Sequence, residues 1–169
     1  MAMSSNLIVR PLVLGLGNIL LGDDAAGPLV IRALAAETAG DGLLLRDGGT
    51  IGLALLPEIE AARAFIAVDA AQLDAAPGTV QVFEGEAMDR QLGGRKRSAH
   101  EVALFDLMAT AALCGHLPPR RALVAVQPGC TDLSLQPTPA VAAALPTLVA
   151  HVQALLARWQ SEDDTKESA

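Results

Sequence analysis

The chain has 169 residues, 51% of them hydrophobic and 18% charged, which supplies one globular domain with a sizeable core. Its formal net charge of -7 sets up a mean field that repels nucleic acid and anionic lipid, leaving small molecules and proteins as partners. The two cysteines, Cys114 and Cys130, are too few for a disulfide scaffold and lack C-x-x-C spacing, so a reducing cytoplasm is the expected location.

Aromatic residues make up 2% and tyrosine is absent, so the core has to be built from Leu, Val, Ile and Ala, a texture that suits buried parallel strands under helices. The first 22 residues, MAMSSNLIVRPLVLGLGNILLG, are apolar, yet Arg10, Pro11 and Asn18 interrupt them and no charged segment precedes them. A cleaved signal is therefore not expected. No uninterrupted segment approaches the roughly 20 apolar residues of a membrane span.

In chain order, strands are expected in PLVLGLG from 11, LLLRD from 43, AFIAVD from 64, TVQVFE from 79 and ALVAVQ from 122. Helices are expected at 28–38, 52–62, 99–114 and 139–159. This is the alternation of an open α/β sheet. The strand near 79 follows the turn Ala76-Pro77-Gly78, so it reads as an edge strand of either direction. Residues 85–97 read as an exposed, mobile loop. Residues 1–160 are taken as a single domain and 161–169 as a disordered tail.

GLGNILLGDDAAG, from Gly15 to Gly27, follows the first strand and opens the first helix. It resembles a dinucleotide fingerprint superficially, but Leu20 occupies the position of the third glycine. Asp23 and Asp24 stand where a pyrophosphate would need positive potential. Capping of the helix N-terminus is the bland explanation for this acidic pair. The second strand ends in Asp47 and the third in Asp69. Strand ends of a parallel sheet share one edge, so three acidic turns lie on one rim. Asp69 could equally bond the backbone of its own turn.

His100 follows Ser98 in an S-x-x-E pattern with Glu101, which reads as a capping box and puts the imidazole in a first helical turn. The helix dipole favours a neutral ring there, the form that ligates metals, with a plain surface histidine as the alternative. His116 and His151 read as structural or exposed. If Asp24, Asp69 and His100 converge, they form a carboxylate and imidazole set suited to a divalent transition metal, with coordination positions left open. No H-E-x-x-H is present, which excludes the usual zincin layout.

GLGNILLGDDAAG, RDGGTIGLALL (46 to 56), FIAVDAA (65 to 71), SAHEVALFDLM (98 to 108), VAVQP (124 to 128) and PTPAV (137 to 141) together resemble the nickel–iron hydrogenase maturation endopeptidase family. The segments occur in family order and span nearly the whole chain. The resemblance implies a three-layer αβα sandwich around a twisted, mostly parallel five-stranded sheet. It implies an endopeptidase that removes the C-terminal extension of the hydrogenase large-subunit precursor after nickel insertion. Asp24, Asp69 and His100 match the metal-contacting catalytic residues. Asp47, Gly48, Gly49 and Thr50 match a segment tied to substrate recognition.

The resemblance further implies that the precursor carries the nickel and that the enzyme has no permanently bound metal. A monomer is the expected state. After Gln127-Pro128 relatives often carry an acidic or polar residue, whereas this chain reads Gly129-Cys130-Thr131-Asp132. Cys130 is read as a small apolar filler, with contact to a soft metal as the alternative. Cys114 is read as core. Two other functions stay open: a noncatalytic nickel-sensing chaperone of the precursor, and a nucleotide-binding Rossmann-like module.

Overall fold

The structure, a computed structural model, describes residues 10–38, 42–49, 53–94 and 99–167. Strands β1 (Leu12–Gly15), β2 (Leu44–Asp47), β3 (Ala64–Ala70), β4 (Val80–Glu84) and β5 (Arg120–Val126) form one sheet in the order β2-β1-β3-β5-β4. The first three pairings are parallel, while β4 lies antiparallel to β5. The direction of β4 follows from chain length. The connection 71–79 is too short for a parallel crossover, so the chain has to turn back.

Helices α1 (Ala26–Glu37) and α5 (Pro139–Glu167) cover one face of the sheet, and α2 (Leu56–Ala61), α3 (Glu86–Leu92) and α4 (Ala99–Leu113) cover the other. Strand alternation creates the two faces. On β3, Ile66 and Val68 point to α1 and α5 with Val30, Leu34, Leu148 and Val152. Phe65 and Ala67 point the other way, to Ile59, Met88, Leu104 and Met108. The three-layer αβα sandwich is the expected one.

Three features differ from the sequence reading. The expected loop 85–97 contains α3, because Met88 and Leu92, one helical turn apart, both bury in the core. Asp89 also holds Arg121 through Oδ1 and Nε at 2.9 Å. Residues 95–97 lie outside the described residues. The expected tail is helical as far as Glu167. Its acidic residues face basic ones: Arg120 meets Asp163 at 2.8 Å and Glu162 at 3.2 Å, and Arg63 meets Asp163 at 3.2 Å. Finally, Cys114 is exposed rather than core. The chain leaves α4 at Leu113 and turns through Gly115, so the helical period that buries Leu107 and Ala111 stops short of Cys114.

By length and composition the segment Pro139–Thr165 of α5 could cross a bilayer, which the run-by-run sequence reading passes over. Its apolar stripe of Val141, Leu148, Val152, Leu155 and Trp159 is turned onto the sheet instead. That is the arrangement of a core helix.

Candidate active site

The carboxyl ends of the parallel strands meet along one rim: Gly15 stands beside Asp47 on one side and Val68 on the other. Asp69 is the next residue of β3. The loop after β1 has to double back over this rim, and two glycines allow it. Gly17 has φ +128, and a Cβ there would stand 1.7 Å from the carbonyl oxygen of Asp24. A Cβ at Gly27 would stand 2.2 Å from the Leu16 carbonyl and 2.5 Å from that of Val68. Gly27 thus permits the close helix–strand packing that a dinucleotide fold assigns to its third glycine.

The acidic pair divides its labour. Asp23 is fully buried and caps no helix. Its Oδ2 accepts hydrogen bonds from the Gly129 N–H (2.7 Å), the Cys130 N–H (3.0 Å) and the Thr138 hydroxyl (2.9 Å), and its Oδ1 accepts from the Thr138 N–H (2.6 Å). Burial alone would raise its pKa, but the bonds from Cys130, Thr138 and Gly129 outweigh it and hold the group below its ordinary value. Asp23 is a clamp that ties the loop after β5 to the loop after β1.

Asp24 faces the site. Its Oδ2 accepts the Asn18 N–H at 2.8 Å and lies 3.4 Å from Nε2 of His100. His100 sits in the first turn of α4, as expected, but the pKa of its imidazole is raised. The hydrogen bond and charge of Asp24 favour imidazolium against the opposing effect of burial. Asp24 therefore works against the dipole and weakens the expected preference for a neutral ring.

Asp69 is fully buried, and neither carboxylate oxygen has a hydrogen-bond partner among the described residues. Burial, then the charges of Glu101 and Asp24, push its pKa well above the usual carboxylate range. The neighbouring Ala70 N–H pulls the other way but stands outside hydrogen-bond geometry. Glu101, 1% exposed, is the residue that sequence reasoning misplaced. It read as a capping partner of Ser98, which lies outside the described residues. The signal was in the helical period, since Glu101 falls in the buried stripe with Leu104, Met108 and Ala111.

Among the described residues, the side chains of the other candidates make no hydrogen bond or ion pair with Asp24, Asp69 or His100. Asp47 is exposed and folds back on its own turn, accepting the Gly49 N–H at 3.2 Å. Gly48 is buried and donates its N–H to the Gly15 carbonyl at 2.7 Å, while Thr50 lies outside the described residues. His116 and His151 are exposed. Cys130 is exposed too, not an apolar filler, with Sγ 3.4 Å from Oδ2 of Asp132. Its loop is fixed through the backbone, which frees the thiol from any packing role. Among the described residues no three His, Cys, Asp or Glu side chains are arranged to hold a metal ion.

A doubly wound α/β domain with an acid and imidazole pair over a buried carboxyl group at its carboxyl edge is the class that fold and site define. Residues 28–155 match the pattern of the hydrogenase maturation protease family. The chain is 36% identical over 155 residues to the hydrogenase expression/formation protein HupD of Rhodobacter capsulatus, covering 90% of this chain and 74% of that protein. It is also 36% identical over 118 residues to HupM of Azotobacter chroococcum, covering 69% of this chain and 56% of that one. The solved hydrogenase maturating endopeptidase HybD of Escherichia coli superposes with a TM-score of 0.82 at 32% identity, covering 88% of this chain and 93% of that chain. The chain belongs to the hydrogenase maturation protease family.

Proposed function

We propose that this protein cuts the C-terminal extension from a nickel–iron hydrogenase large-subunit precursor after nickel insertion, acting in the cytoplasm. The observation that carries the reading is the Asp24–His100 pair at 3.4 Å beside the partnerless, buried Asp69, in a chain whose relatives are maturation proteases. A buried carboxyl group with no partner is costly to keep. Such a cost is retained where an incoming group satisfies it.

Nickel belongs to the substrate in this reading. Two carboxylates and an imidazole make a hard-to-borderline donor set that suits it. Asp24, Asp69 and His100 are not arranged to hold an ion by themselves, and in this reading they would gather on the metal that the precursor presents, with the imidazole bound in its neutral form. This grip holds the scissile bond at the rim and raises its effective concentration. One carboxylate takes a proton from the attacking water, and that proton then passes to the departing amine.

The test is incubation of the purified chain with nickel-free and nickel-loaded precursor, followed by mass measurement of the precursor's C-terminus. Loss of the C-terminal peptide from the nickel-loaded form alone is expected, and His100→Ala should abolish it. An unchanged mass with the wild-type chain would overturn the protease reading in favour of a chaperone that only holds the precursor.

A further inference from the structure

Most exposed large aliphatic side chains among the described residues gather beside the site. Ile19 is 40% exposed, Leu20 46%, Leu133 82% and Leu135 79%; the two others, Val102 and Leu113, lie on α4. These four residues belong to two loops joined as a minimal ladder. Leu21 pairs with Ser134, the Gly22 N–H donates to the Ser134 carbonyl at 2.9 Å, and the Ser134 N–H donates to the Leu20 carbonyl at 2.9 Å. Single exposed leucines mean little, but four exposed aliphatic residues on two backbone-joined loops mark a candidate interaction surface.

The patch is held rigidly. The four hydrogen bonds to Asp23 fix the loop that carries Leu133 and Leu135. The Ser134 hydroxyl is turned along the chain to the Gln136 carbonyl at 2.8 Å rather than outward. An apolar surface fixed in advance loses little ordering entropy when it is covered.

The patch is also continuous with the site. Asn18 donates its N–H to Asp24, while its Oδ1 accepts the Leu20 N–H at 2.9 Å. The Leu21 carbonyl accepts the Asp24 N–H at 3.0 Å. A chain whose bond reaches Asp24 and His100 can therefore run out over residues 18–22. The net charge of -7 argues against an anionic lipid surface as the occupant. A second copy of this chain seated there would obstruct the approach to the cutting site.

We propose that Ile19, Leu20, Leu133 and Leu135 form a platform that seats aliphatic side chains of the precursor's C-terminal segment next to the scissile bond. This inference rests on the protease reading. The platform sets which C-terminal segments the enzyme accepts, while the acid and imidazole cluster performs the cut.

The test is the double variant Leu133→Ser/Leu135→Ser, processing nickel-loaded precursor at a series of precursor concentrations. The expected result is a KM raised by about tenfold or more, as for loss of an apolar anchor, with kcat within about twofold of wild type. The thermal midpoint and sedimentation coefficient should not change. A precursor whose aliphatic residues near the cut are replaced by serine should show the same KM rise with the wild-type enzyme. It should lose little more with the double variant. A wild-type KM in the double variant would overturn the platform and leave the protease reading standing. Dissociation of a wild-type dimer by the substitutions, with processing unchanged, would overturn the platform in favour of a self-association surface. Failure of the wild-type enzyme to cut would remove both.

Discussion

Asp23 and Asp69 are both fully buried aspartates at the same rim of the sheet, yet they are built in opposite ways. Asp23 receives four hydrogen bonds from the loop after β5. Asp69 receives none among the described residues and faces the charges of Glu101 and Asp24. A satisfied buried carboxylate strengthens the fold, whereas an unsatisfied one weakens it. The clamp therefore belongs to architecture, and the partnerless group is the one that the proposed function assigns to the site.

Asp69→Asn breaks this contrast most sharply. Processing of nickel-loaded precursor should fall by about a thousandfold or more, since both the grip on the metal and a candidate base are lost. Stability should move the other way. The folded pKa of Asp69 lies above the ordinary value of 3.8. Its contribution to stability is therefore fully present below that value and lost as pH rises through the folded pKa. An amide cannot ionise, so at neutral pH urea denaturation should find the variant about 1 kcal/mol more stable. A variant that unfolds more easily than wild type would show that Asp69 has structural partners.

Asp23→Ala is the mirror image. It leaves the N–H groups of Gly129, Cys130 and Thr138 without their acceptor, and stability should drop by about 3 kcal/mol in urea denaturation. The pH dependence has the opposite sign to that of Asp69. The folded pKa of Asp23 lies below 3.8, so its contribution is complete above that value and lost as pH falls through the folded one. The variant should therefore show a flatter acid limb in a plot of stability against pH. An unchanged acid limb would count against the clamp.

Much of this arrangement was legible in the sequence, because it depends on period and on strand ends. Five apolar runs gave the five strands, and the aspartates at the ends of β2 and β3 follow from reading the chain as parallel. Tertiary partners were not legible. The pairing of Asp23 with a loop more than a hundred residues away has no local signature, so the residue passed for a helix cap. The upward pull of Asp24 on the His100 pKa was missed because the dipole is a local feature and Asp24 is a distant one in the chain. Glu101 and α3 could have been found. The buried stripe of α4 includes position 101, and the spacing of Met88 and Leu92 is helical.

The smallest effect separates the clamp's backbone from its side chains. Asp23 accepts the Cys130 N–H, and the Cys130 carbonyl accepts the Asp23 N–H at 3.0 Å, while among the described residues the exposed thiol bonds to Asp132 alone. Cys130→Ser keeps both backbone bonds and replaces a weak S–H donor with a better one. Stability should stay within about 0.5 kcal/mol of wild type, and processing of nickel-loaded precursor should keep its wild-type rate. A clear loss of rate with stability intact would move Cys130 into the site as a soft contact for the substrate's nickel. The loop after β5 would then contribute to the grip as well as to the scaffold that Asp23 fixes.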